Sequence, residues 1–205
     1  ANGQTVLNWT NPTPATFTDF NEYEIWRNNG SGWQLYDSIP TSGTTTYTDV
    51  NANGLAQSYK YYLTTQSGCT GQVYPLTNPN SDTLASMHLT VSNLTMGLAK
   101  LTWNAMSAKA NGWYQGAAGP YVIKRRPTGS GVYTQVGTST TPAFDDTIKT
   151  CFVHYEYIVE LANNYAAGQT CTSTSNPADS IFTYIGNVID APQLRCVSVQ
   201  ANGQT

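Results

Sequence analysis

Charge is scarce in this 205-residue chain: only 10% of its residues are Asp, Glu, Lys or Arg. The one cationic run, Lys124-Arg125-Arg126, reads as the solvated face of a strand. With a formal charge of -3, the sequence lacks the clustered Lys and Arg that recruit nucleic acid or an anionic membrane. Long apolar runs are missing as well, none approaching the ~18 residues of a membrane span, so no membrane insertion is expected of this segment. No signal peptide is visible, and in a slice of a longer chain neither absence bears on the whole. Stretches of Ala, Leu, Glu and Lys at helical spacing do not occur.

The usual vocabulary of catalysis is thin. The two histidines, His88 and His154, have no neighbouring Ser/Asp constellation. Glu22/Glu24 share a strand face at best and Asp145/Asp146 start a turn, neither of which makes a glycosidase dyad. No Cys or His spacing matches a zinc pattern. Asp19, Asn21 and Glu22 offer oxygen ligands without the spacing of an EF-hand loop, and the glycines sit in hairpin tips with no helix behind them. The expectation is no enzyme, no resident metal and no cofactor, with calcium at Asp19, Asn21 and Glu22 left open as the alternative.

What fills the chain is Thr, Ser, Asn and Gly, with fourteen Tyr among 12% aromatics. β-Branched and aromatic strands joined by Asn/Gly turns follow from that mixture, so the fold class is all-β. Thr5, Leu7 and Trp9 alternate along a first strand. Tyr23 to Arg27 and Trp33 to Tyr36 flank the turn at Asn28-Asn29-Gly30-Ser31-Gly32 as a hairpin. Thr44 to Asp49 and Tyr59 to Leu63 follow, and strand-like residues resume near Asp82-Thr83-Leu84.

Two repeats are superposed on this pattern. Ala1-Asn2-Gly3-Gln4-Thr5 returns as Ala201-Asn202-Gly203-Gln204-Thr205, 200 residues on, which reads as one period of a tandem array. Within the period the second half restates the first at offsets of 94 to 98: Trp103 for Trp9, Tyr121 to Arg125 for Tyr23 to Arg27, Phe144-Asp145-Asp146 for Tyr47-Thr48-Asp49, and Tyr155-Glu156-Tyr157 for Tyr59-Lys60-Tyr61. Asn176-Pro177-Ala178-Asp179-Ser180-Ile181 is matched to Asn78-Pro79-Asn80-Ser81-Asp82-Thr83-Leu84. The period therefore holds two diverged domains of about 100 residues, near the modal domain size.

A strand ending in Trp, a Tyr-x-Ile strand, and a Tyr-x-Tyr or Tyr-x-aliphatic strand some 35 residues later resemble the fibronectin type III domain. That resemblance implies two consecutive seven-stranded, two-sheet sandwiches, with Trp9 and Trp103 in their cores and Tyr59 and Tyr155 at their tyrosine corners. It divides the chain into a first domain over 1–85, whose first strand lies in the preceding repeat, a second over 86–185, and a linker with the next repeat's first strand over 186–205. Four cysteines in so polar a chain point to an oxidising setting. Under this mapping Cys151 and Cys171 are close enough to pair, while Cys69 and Cys196 become partners across adjacent repeats; buried free thiols are the alternative.

Asp37-Ser38-Ile39, Asp82-Thr83-Leu84, Asp146-Thr147-Ile148 and Asp179-Ser180-Ile181 share an order of Asp, hydroxyl, aliphatic. The order is similar to the O-glycosylation motif of Bacteroidota, which implies glycans on Ser38, Thr83, Thr147 and Ser180. The competing reading is that Asp-Ser/Thr pairs end strands by local hydrogen bonds. Leu194-Arg195-Cys196-Val197-Ser198-Val199, Tyr23-Glu24-Ile25-Trp26-Arg27 and Ser67-Gly68-Cys69 resemble phrases of giant surface proteins of the same group, including gliding adhesins exported by type IX secretion.

Together these readings point to a repeat segment of an extracellular fibrous surface protein, with adjacent copies of the repeat as partners. Surface glycans or neighbouring filament strands are further candidate partners, through exposed aromatics such as Trp26 and Trp113. Two alternatives are a non-covalent fibre in which Leu194 to Val199 completes the next subunit by strand addition, and a carbohydrate-binding accessory module of a secreted enzyme.

Overall fold

The computed structural model describes residues 3–11, 20–67, 81, 83–95, 97–106, 114–117, 120–148, 153–165 and 170–180. All strand pairs among them are antiparallel. The first unit contains β1 (Thr5–Asn8), β2 (Phe20–Asn28), β3 (Trp33–Ile39), β4 (Thr46–Asp49), β5 (Lys60–Ser67) and β6 (Leu84–Ala85). They form one sheet of order β1-β4 and another of order β3-β2-β5-β6.

The second unit contains β7 (Leu89–Thr95), β8 (Leu98–Trp103), β9 (Tyr114–Ala117), β10 (Tyr121–Pro127), β11 (Thr134–Ser139), β12 (Ala143–Thr147), β13 (Tyr155–Tyr165), β14 (Thr170–Thr174) and β15 (Ala178–Asp179). Its sheets run β12-β8-β7 and β11-β10-β13-β14, with β9 and β15 also pairing β13. Among the described residues no strand of one unit pairs with a strand of the other. The shared order, in which the second, third and fifth strands of each unit's sequence pattern recur in the same places, makes this an all-β protein of two consecutive fibronectin type III-like sandwiches.

Period-two alternation sets the faces. On β2, Tyr23 and Ile25 are buried between the sheets while Glu24 and Trp26 take the opposite side. On β10, Tyr121 and Ile123 repeat that arrangement. Trp9 packs edge-on against Tyr23 at 5.7 Å between ring centroids, and Trp103 against Tyr121 at 5.2 Å. The second core is the fuller one: Met87, Leu89, Ala99, Leu101, Trp103 and Ile123 join the tyrosines of β13 in one buried cluster. In the first unit the buried cluster is limited to Ile25, Ala52, Tyr59 and Tyr61, with Tyr23 buried beside Trp9, and Leu7 is half-buried where its counterpart Leu101 is sealed.

The changeover between units falls at Ser86–Met87, since Ser86 hydrogen-bonds Tyr59 of the first unit and Met87 sits in the second core. Around it, Asn104 donates from Nδ2 to Ser86 O at 3.2 Å and accepts from His88 N at 2.7 Å. Ser58 Oγ donates to the same Ser86 carbonyl at 2.6 Å.

Equivalent truncations should therefore differ in effect. Leu101→Ala is expected to cost about 2–5 kcal/mol, the range for emptying a sealed leucine site. Leu7→Ala should cost about half of that or less, because part of its side chain already meets water. Urea unfolding of the two full-length variants, followed by hydrogen exchange in β10 and β2, measures both.

Candidate functional site: a buried ionic brace present twice

Three strands deliver one polar cluster to the space between the sheets. The alternation that buries Tyr23 and Ile25 also turns Arg27 inward at the end of β2, and Asp49 ends β4 in the opposing sheet. Asp49 is 0% exposed. Its Oδ2 accepts from Arg27 Nη1 at 2.8 Å and from the Tyr61 hydroxyl of β5 at 2.9 Å, while Oδ1 accepts from Asn51 N at 3.1 Å. The Arg27 guanidinium lies 3.7 Å over the Tyr36 ring and 5.5 Å from that of Tyr59. Both carboxylate oxygens are thus engaged by donors, one of them charged, which is the condition for keeping a carboxylate out of water.

The second unit repeats the cluster. Asp146 of β12 accepts from Arg125 of β10, and at 2.8 Å from the hydroxyl of Tyr157 of β13. Arg125 lies 4.5 Å over the Tyr155 ring. Burial pushes the Asp49 carboxyl upward, but hydrogen bonds from Arg27 and Tyr61 and the charge of Arg27 outweigh it, so the group stays below its ordinary range. Burial, followed by an acceptor carboxylate, drives the Tyr157 hydroxyl far above its usual value. These tyrosines are fixed donors, not acids in waiting.

Serines stitch the last segment of each unit to the strand before it. Ser86 N donates to Tyr59 O at 2.8 Å and Tyr59 N donates to Ser86 Oγ at 2.9 Å; Ser180 and Tyr155 make the same pair at 2.8 and 3.0 Å. Ser81 with Leu63, and Ser175 with Val159, form a second stitch five residues earlier. The structural equivalents are therefore Ser81 with Ser175 and Ser86 with Ser180, which corrects the match made through the two Asn-Pro pairs. Asn176 adds a tie between sheets, accepting from Leu89 N at 2.6 Å and donating to Leu89 O at 3.0 Å.

The residues singled out from sequence fall into several groups. The Tyr59 hydroxyl accepts from Asn53 N at 3.1 Å, and Tyr155 is buried at the start of β13. Trp103 is buried and Trp9 half-buried. Ser38 and Thr147 are exposed and Thr83 is half-buried, but Ser180 is 1% exposed with its Oγ taken by Tyr155 N. A glycan on Ser180 does not fit the folded unit. Of the cysteines, Cys171 lies on β14, while Cys69, Cys151 and Cys196 lie outside the described residues, as do Asp19, Asp82 and Trp113. His88 Nε2 is 3.2 Å from Leu55 O, and among the described residues no group of three or more His, Cys, Asp or Glu could hold a metal ion.

The outward faces differ between units. On the first, Trp26 of β2 stacks parallel to Tyr62 of β5 with centroids 5.7 Å apart, and Trp33 of β3 meets Tyr62 edge-on at 4.6 Å. Glu24 accepts there from Trp26 Nε1, Thr64 Oγ1 and Gln66 Nε2. In the second unit the corresponding strands carry ion pairs: Lys124 with Glu160 at 2.7 Å, and Arg126 with Glu156 at 2.6 Å, the latter carboxylate also accepting from Tyr133.

The braces are open to direct test. Asp49→Ala should destabilise the first unit by about 3–5 kcal/mol, because it strands a largely buried guanidinium. Tyr61→Phe should cost less, about 1.5–3 kcal/mol, the range for a hydrogen bond to a charged acceptor; equilibrium unfolding of the full chain reads both. Because the folded-state carboxyl is held below its ordinary value of 3.8, its contribution is complete above that pH and is lost as pH falls through the folded value. The stability gap between wild type and Asp49→Asn should accordingly narrow in titrations below about pH 4.

No family model and no curated protein matches the sequence. Solved structures do match. A two fibronectin type III domain segment from chicken tenascin is 13% identical with a TM-score of 0.29, over 87% of this chain and 90% of that one. Domains A168–A170 from titin are 14% identical with a TM-score of 0.32, over 78% and 53%. Domains FN1–FN3 of chicken CNTN1 are 11% identical with a TM-score of 0.30, over 86% and 64%. The titin kinase with its flanking domains is 15% identical, TM-score 0.32, over 46% of this chain and 16% of that one, so the chain spans under two thirds of three of these four. At such values it is the strand order of the two units that carries the fold: two fibronectin type III-like sandwiches in succession, each pinned by its own Arg-Asp-Tyr brace.

Proposed function

We propose that the chain is a structural repeat segment of an extracellular fibrous surface protein or adhesin, extending and presenting rather than catalysing. The observation that carries this is the duplication of the brace. Both units place their buried ionisable residues in the same sheet-to-sheet cluster, so these groups serve cohesion in each. The hydrogen bonds that Ser58 and Asn104 make to the Ser86 carbonyl support the same reading, because they restrain the join between neighbours. Adjacent copies of the repeat are its first partners. The resemblance of its short phrases to type IX-exported surface proteins of Bacteroidota supports attachment or gliding as the setting.

One observation favours a second reading. The Trp26, Tyr62 and Trp33 cluster with Glu24 and Gln66 on the outward sheet of the first unit has no counterpart among the described residues of the second, and aromatic rings beside fixed acceptors suit neutral glycans. Under that reading the segment is a carbohydrate-binding module.

Denaturing electrophoresis of the native protein tests the repeat reading. The expected band is several times the 22.2 kDa of this chain, and limited proteolysis should give fragments in steps near that mass. A native band at 22.2 kDa would overturn it.

A further inference from the structure

Among the described residues, one sheet of the first unit has a strand fewer than its counterpart in the second. The sheet β12-β8-β7 has three strands, whereas its counterpart is β1-β4 alone, and no described strand pairs the far edge of β1. The deficit shows in burial. Ala99 and Leu101 are 0% exposed and Trp103 is 6%, while the matching Thr5, Leu7 and Trp9 of the first unit are all only half-buried.

The turn that would introduce the missing strand is nevertheless formed. Gly97, between β7 and β8, has φ +80° and accepts from Ile148 N at 2.7 Å; Gly3 has φ +72° and accepts from Gly54 N at 2.7 Å. A left-handed glycine whose carbonyl is likewise held by the chain that follows the facing strand, though from a residue further on, is consistent with Gly3 ending a hairpin turn whose incoming strand is not among the described residues. The sequence says what would precede it. Ala201 to Thr205 repeat Ala1 to Thr5, and Val197-Ser198 stands six and five residues before Gly203, as Val91-Ser92 stands before Gly97. Leu101 and Trp103 follow Gly97 at the spacing at which Leu7 and Trp9 follow Gly3. The match ends further out, where Arg195 replaces Leu89 with Leu194 beside it.

We propose that the edge of β1 to which no described strand is paired is a docking site for residues 194–199 of the preceding copy of this chain. The strand enters antiparallel, with Val197 opposite Leu7 and Ser198 opposite Val6, as Val91 lies opposite Leu101 and Ser92 opposite Lys100. The inference rests on the repeat reading only in taking the donor to be a copy of the same chain. The donor is the covalently preceding repeat, because the recurrence of Ala1 to Thr5 at Ala201 to Thr205 sets residues 194–199 of one copy directly before the Gly3 turn of the next; a separate molecule donating the same strand is an outcome the test distinguishes.

The test compares the full chain with one extended at its N-terminus by a copy of residues 190–200, which places Val197 six residues before Gly3. In the extended protein, backbone amide exchange along β1 should slow by about tenfold or more. Val197→Pro in the extension should restore fast exchange, because proline removes a ladder donor; the same change in the original C-terminal segment should leave β1 of the monomer untouched. Sedimentation of the unextended chain separates the sources. A persistent monomer with protection in the extended chain supports the covalent donor, whereas association of the unextended chain that the extension blocks would overturn it in favour of a separate molecule. Unchanged exchange on extension, or slowing that survives Val197→Pro, would overturn the proposal whatever the native mass proves to be.

Discussion

A carboxylate closed off from water between two sheets leaves its surroundings little choice. Asp49 keeps its charge only while Arg27, Tyr61 and Asn51 N stay in reach, and those groups come from two strands of the facing sheet and from the corner after β4. Sliding one sheet over the other by a residue would part the carboxylate from both Arg27 and Tyr61. The brace therefore specifies the packing of the sandwich more sharply than aliphatic contacts do, and it does so where the apolar core is small. Breaking one partner is costly even though the intact pair adds little net stability over a well-packed apolar alternative, which is how a buried ion pair favours one arrangement over its near neighbours.

Because the chain carries two versions of one plan, each unit serves as a comparison for the other. Held in common are the edge-on Trp-Tyr contact, the brace, the paired serines and the left-handed glycine. These belong to the architecture. What differs is the outward sheet, stacked aromatics around Glu24 in one unit and Lys124-Glu160 and Arg126-Glu156 pairs in the other. Surface chemistry that the fold does not require is free to be used, and the first unit has concentrated its aromatic surface there.

The fold was legible from alternation and repetition, since a two-residue period with Trp and Tyr at fixed places leaves few architectures open. The brace was only half legible. Arg27 with Arg125 and Asp49 with Asp146 line up between the two halves, but a period of two shows which face a polar residue takes, not which residue on another strand it meets. The last strand was misaligned because two Asn-Pro pairs, 98 residues apart, outweighed serines 94 apart; a proline marks a turn, while a serine replacing a ladder bond leaves no periodic trace. The same blindness to tertiary burial placed Ser180 among the glycan acceptors when its hydroxyl is bonded inside the fold.

The serine at the unit boundary has a mechanical meaning. The chain leaves the first sandwich at Ser86, whose amide and hydroxyl both engage the backbone of Tyr59, while the Tyr59 side chain is anchored at Asn53 and packs toward Arg27. Tension applied along the polypeptide therefore enters through two short bonds to one residue and passes at once to the Tyr59 side chain and the ionic cluster behind it.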